Sequence, residues 1–136
     1  MEHGLWARAG AELLDKIGPS IMLVHSAGGP FSWLAANERP NLVKAIVNVE
    51  GFGSAFDRGA LKNLQGIPVA IVSADRSGRT QGPASVAFLK QAGCDAEELA
   101  LRDKGVLGNG HMMIIEENRR QVFDAINGWI EHKLPA

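Results

Sequence analysis

Ser26, Glu50, Asp75 and His111 are the residues of this chain whose types could together do nucleophilic chemistry. A serine hydroxyl is a poor nucleophile at neutral pH and needs a base to take its proton. An imidazole has the ordinary pKa suited to that task. A carboxylate behind the imidazole fixes its tautomer and stabilises the imidazolium that forms. Such a set attacks a carbonyl carbon, so acyl transfer is the chemistry to test against the rest of the sequence. No side chain in the set requires a metal.

Ser26 sits in Ile21-Met22-Leu23-Val24-His25-Ser26-Ala27-Gly28-Gly29-Pro30. The apolar run 21–24 reads as a buried strand, and a helical pattern begins after Pro30. A serine at a sharp strand-to-helix corner is held clear of the sheet, as in a nucleophile elbow. The helix behind it offers unpaired backbone N–H groups and a positive dipole end to developing negative charge. The usual pattern is G-x-S-x-G, and Val24 stands where its first glycine belongs; a β-branched residue there crowds the turn.

Four histidines are candidates for the base. His25 adjoins Ser26, but neighbours at a strand end point to opposite faces, so it reads as a packing or supporting residue. His3 lies in the N-terminal stretch and His132 on the last helix. His111 remains, in Gly108-Asn109-Gly110-His111-Met112-Met113, a loop between the last strand and the last helix. Two acids compete for the third place. Glu50 ends an apolar strand and is followed by Gly51-Phe52-Gly53, which encloses it. Asp75 follows the next strand in a polar stretch beside Arg76 and Arg79. On the residues alone both stay open.

The elements that must position these groups alternate. Helices are expected over 5–17, 31–38, 56–64, 83–92 and 117–132, and strands over 21–24, 43–49, 68–73 and 97–101. In 5–17 the apolar residues Leu5, Ala9, Leu13 and Ile17 form one stripe to bury. Strands alternating with helices specify an α/β fold: a parallel sheet of about four strands with helices on both faces. Ligands of such sheets sit beyond the carboxyl ends of the strands. All four candidate residues fall there.

The chain has 136 residues, 46% of them hydrophobic, which suits one domain, 1–136, with a real core. A net charge of −1 gives no electrostatic reason to expect nucleic acid or an anionic membrane as partner. No apolar run approaches membrane-spanning length. The first residues lack a signal-peptide pattern, and the single cysteine, Cys94, excludes an internal disulfide. The compartment is left open.

His25-Ser26-Ala27-Gly28-Gly29, Val47-Asn48-Val49-Glu50 and Gly108-Asn109-Gly110-His111-Met112-Met113 together resemble the α/β-hydrolase fold, and within it a group of bacterial esterases with H-S-x-x-G, V-x-V-E and G-N-x-H-M-M motifs. The resemblance runs from about Leu13 to Trp129. It implies an esterase with a Ser-His-Glu triad, in which the acid follows the strand directly after the elbow helix; this selects Glu50 over Asp75. It implies a small-molecule ester as substrate, no cofactor, and the Ala27 N–H as one oxyanion donor. Phe31, Phe52 and Met112 would line the acyl side. A complete fold of this kind has further strands before the elbow, and a loop among them supplies the second oxyanion donor. The chain therefore reads as the C-terminal half of the fold, with an exposed sheet edge through which it would associate. The rival expectation is a non-catalytic or truncated domain of this fold that pairs with another chain.

Overall fold

The computed structural model describes residues 3–51 and 61–136, the side chain of His3 excepted. Four strands, β1 (Ser20–His25), β2 (Val43–Val49), β3 (Pro68–Ser73) and β4 (Asp95–Ala100), form one sheet in the order β1-β2-β3-β4. Each pairs parallel with the next. Helices α1 (His3–Ile17), α2 (Gly28–Glu38), α3 (Gly82–Gln91) and α4 (Arg119–Lys133) complete the frame. This is the α/β architecture that the alternation of elements calls for.

Period-two alternation along the strands creates two cores. Ile46, Val69, Ile71 and Ala96 face one side, where Leu14 of α1, Trp33, Ala35 and Ala36 of α2, and Phe88 and Leu89 of α3 cover them. Ala45, Val47, Val49, Ala70, Val72 and Leu99 face the other, under Val122, Ile126 and Trp129 of α4. β3, and β2 apart from exposed Lys44, are buried on both faces, which is why both read as mainly apolar runs, with Asn48 a buried polar exception in β2.

The stripe expected in α1 is corrected by the packing. Leu5, Leu13 and Ile17 are more than half exposed, whereas Ala11 and Leu14 are buried. α1 packs on α2 through the stacked rings of Trp6 and Phe31 and a close approach of small residues. A Cβ placed on Gly10 would lie 2.6 Å from the Ala35 Cβ, so the helices meet more closely than a leucine seam permits. Arg39 ties the pair together by donating to both carboxylate oxygens of Asp15.

β4 begins two residues earlier than the sequence pattern implies and ends one earlier. Its charged Asp95, Glu97 and Glu98 suit an edge strand but mask its period. Of the helix expected over 56–64, residues 56–60 lie outside the described residues, and 61–64 are not helical. Leu61 and Leu64 there are buried in the core. β1 is the other edge. Met22 and Val24 pack on the first core, while Ile21 and Leu23, on the α4 side, are 39% and 62% exposed. No described helix is long and apolar enough to cross a membrane.

Candidate active site

Ser26 and Glu50 each stand one residue past a strand, and each is held there by one more rung of the ladder. The Ser26 N–H donates to the Val49 carbonyl, and the Glu50 N–H to that of Val72. Both then turn sharply, with φ of 54° and 48°. Such values are uncommon for residues with a Cβ and persist where surrounding contacts hold them. The turn lifts each side chain off its strand and onto the same rim of the sheet.

Two close approaches hold the corner. A Cβ on Gly29 would collide with the Gly51 carbonyl oxygen, so the start of α2 can come against the β2 turn only with glycine there. Asn48, fully buried in β2, clasps Gly51 from both sides: its Oδ1 accepts the Gly51 N–H at 2.7 Å and its Nδ2 donates to the Gly51 carbonyl at 2.9 Å. A Cβ on Gly28 would lie at an ordinary 3.7 Å from the Val24 Cβ. Valine at the first motif position is thus accommodated, and the close approach rests on Gly29 rather than on Gly28. Ala27 has helical φ and ψ ahead of α2, so its N–H belongs to the first turn, where no carbonyl one turn back is available to accept it.

His111 reaches both other groups. Its Nε2 lies 2.9 Å from the Ser26 Oγ, and its Nδ1 lies 2.9 Å from the Glu50 Oε1. A carboxylate only accepts, so Nδ1 carries the proton and Nε2 is free to accept the serine hydroxyl. Glu50 is fully buried. Its other oxygen, Oε2, accepts the Ala74 N–H at 2.8 Å and the Ser77 hydroxyl at 2.6 Å. These partners offset the desolvation that would otherwise make a buried carboxylate costly. The arrangement can move a proton from the Ser26 hydroxyl to an imidazole that is oriented from behind.

Asp75, the other candidate acid, lies on the same rim but turns away from His111. Its Oδ1 accepts from Arg102 and its Oδ2 from the Gly108 N–H. The Arg102 guanidinium, and next the Gly108 amide, hold its carboxyl below the usual carboxylate value. Asp75 thereby fastens the loop that carries His111. The Arg76 N–H donates to the Asn109 carbonyl at 2.8 Å, and the Gly110 N–H to Glu116 at 3.0 Å. The buried Asn109 side chain donates to Glu116 and exchanges hydrogen bonds with Asn118.

Of the other expected site residues, Phe31 stacks on Trp6 of α1 with ring centroids 4.5 Å apart. Met112 is 45% exposed next to His111. Phe52 lies outside the described residues. Cys94 is buried, and burial pushes its thiol up to about 11, so it stays protonated in the core at neutral pH. A groove of about 840 Å³ between β4 and α4, lined by Leu99, Val106 and Trp129 among others, contains none of Ser26, Glu50 and His111. Sequence reasoning missed Asn48, Ser77 and Glu116. Only Asn48 carried a signal, a polar residue inside the apolar run Val43–Val49.

The fold is that of the α/β-hydrolases. The chain superposes on a bacterial esterase described as novel with a TM-score of 0.75 and 27% identity, over 93% of this chain and 42% of that one. It also matches a structure described as a "predicted CIB-like hydrolase" from Thermoplasma acidophilum, with a TM-score of 0.59 and 18% identity, over 94% and 59% of the two chains. In sequence it is 30% identical over 178 aligned positions to a fungal protein (strain ATCC 74256) named "Probable secreted lipase phiG", covering 91% of this chain and 49% of that one. No protein-family model matches. The chain is thus an α/β-hydrolase-fold protein with esterase-like and lipase-like relatives, and it spans about half the length of the curated relative it matches.

Proposed function

We propose that the chain is part of a single α/β-hydrolase domain that hydrolyses carboxylic esters through a Ser-His-Glu triad. Ser26, at a nucleophile elbow, attacks the ester carbonyl as His111 takes its proton. Glu50 holds His111 in the reactive tautomer and stabilises the imidazolium. The Ala27 N–H, at the positive end of α2, donates to the oxyanion. His111 then returns the proton to the leaving alcohol. Water, deprotonated by His111, cleaves the acyl-Ser26 ester and regenerates the hydroxyl. Exposed Met112 beside His111 suits an apolar acyl group, with Phe31 on the same wall in this reading.

One observation carries the proposal: the two 2.9 Å contacts that His111 makes, one from each ring nitrogen, to Ser26 and Glu50. The names of the relatives support ester hydrolysis as the reaction class. The test is turnover of a small activated ester. Ser26→Ala and His111→Ala are expected to abolish it, and Glu50→Gln to lower kcat on the order of 10⁴-fold by favouring the wrong tautomer. Hydrolysis that survives all three substitutions would refute the assignment.

A second reading, a domain that pairs with another chain and does not turn over by itself, is favoured by the exposed Ile21 and Leu23 on the edge strand β1. It predicts concentration-dependent association in sedimentation together with no Ser26-dependent turnover.

A further inference from the structure

His25 is the residue that the proposed reaction leaves unused, yet it touches the candidate base. Its Nε2 lies 2.8 Å from the main-chain carbonyl oxygen of His111, 86 positions along the chain. A carbonyl can only accept, so His25 Nε2 carries a proton and donates it. The two imidazole rings also pack together, with centroids 4.7 Å apart and planes inclined by 35°. His25 does not hydrogen-bond the Ser26 hydroxyl; that contact belongs to His111.

The place of this bond in the loop gives it meaning. From Gly108 to His111 one backbone group of each residue is held in turn. Asp75 accepts the Gly108 N–H, and the Arg76 N–H binds the Asn109 carbonyl. Glu116 accepts the Gly110 N–H, and His25 binds the His111 carbonyl. The first three clamps come from loops beside β3 and α4. The fourth comes from β1, whose last residue is His25 and which Ser26 directly follows. It alone of the four couples the base-bearing loop directly to the nucleophile-bearing strand.

We infer that His25 is a positioning residue: it ties the His111 main chain to β1, so that the His111 ring and the Ser26 hydroxyl keep their separation when either element shifts. This rests on the triad reading above. It acts through His111 and not on substrate, so its loss lowers kcat and leaves KM nearly unchanged. Displacements well under the size of an atom suffice, since misplacing a reacting group by about 1 Å can cost on the order of 10²-fold.

The test compares His25→Phe, which keeps a packed ring but has no donor, with His25→Gln, whose side-chain amide can donate at similar reach. In the full chain, with an activated ester, His25→Phe is expected to lower kcat roughly 10- to 100-fold at near-constant KM. His25→Gln is expected to recover most of that loss. In parallel, the proton on His111 Nδ1 is read by NMR as a downfield resonance, identified by its absence in Glu50→Gln. It is expected to broaden or move in His25→Phe and to return in His25→Gln, and this is read whether or not the chain turns over. A His25→Phe protein with wild-type kcat or an unchanged resonance overturns the role of His25. So does a His25→Gln protein as impaired as His25→Phe, because restoring the donor would then restore nothing. Ser26→Ala separates the two levels. If it retains turnover, or if the wild-type resonance is missing, the triad reading itself fails; if turnover depends on Ser26 and the resonance is present, only the inference about His25 is at stake.

Discussion

At the residue scale the account turns on how a carboxylate with no exposure to water is kept usable. Glu50 has His111 on one oxygen and two donors, the Ala74 amide and the Ser77 hydroxyl, on the other. Removing a hydrogen bond to a charged group costs about 1.5–3 kcal/mol. Ser77→Ala should therefore lower stability by about that amount, read as a shift of the urea midpoint with little change in the slope. An unchanged midpoint would contradict the contact. Little of this was legible in the sequence. Ser77 lies in an irregular polar loop, where no periodicity tells which hydroxyl turns inward. Glu50, in contrast, announced itself by ending an apolar strand, and His111 by its place between the last strand and the last helix. The choice between Glu50 and Asp75 needed the resemblance, because two arginines beside an acid in a sequence do not tell what that acid faces.

At the element scale the site is made by strand ends, and the glycines decide whether the elements can meet. Gly28 occupies the last position of the familiar serine motif, yet a methyl group there finds ordinary space; at Gly29 it meets the Gly51 carbonyl. Gly28→Ala should be neutral or stabilising by up to about 1 kcal/mol, since alanine is the better helix residue. Gly29→Ala should cost about 1–3 kcal/mol through overpacking. Thermal unfolding of the two variants checks this, and equal effects would contradict the described approach of α2 to the β2 turn. β2 and β3 could be read from sequence to the residue because both are buried on both faces over most of their length and hence mainly apolar. The buried face of α1 could not. Its hydrophobic stripe points outward, while the contact with α2 includes a close approach of Gly10 to Ala35, which hydrophobic periodicity does not weigh, beside the Trp6–Phe31 stack.

At the scale of the whole molecule the sheet ends on one side in β1, with Ile21 and Leu23 uncovered on the face that α4 leaves open. Ser26 directly follows the same strand, so the apolar edge and the candidate nucleophile are neighbours. The chain spans 49% of the lipase relative and 42% of the esterase structure. The reading proposed here assigns one oxyanion donor, the Ala27 N–H, among the described residues. A missing donor costs roughly 10²- to 10³-fold in kcat, which slows turnover without disturbing the proton path from Ser26 to His111. The reactivity of the Ser26 hydroxyl is therefore a more direct readout of the central claim than steady-state turnover. It is measured by treating the chain with an activated phosphonate ester and locating the adduct by mass spectrometry. One equivalent is expected on Ser26, with labelling at least tenfold slower in His111→Ala, because loss of a general base costs on the order of 10²–10⁴. A label on any other residue, no label on Ser26, or labelling of Ser26 at the same rate without His111 would contradict the account.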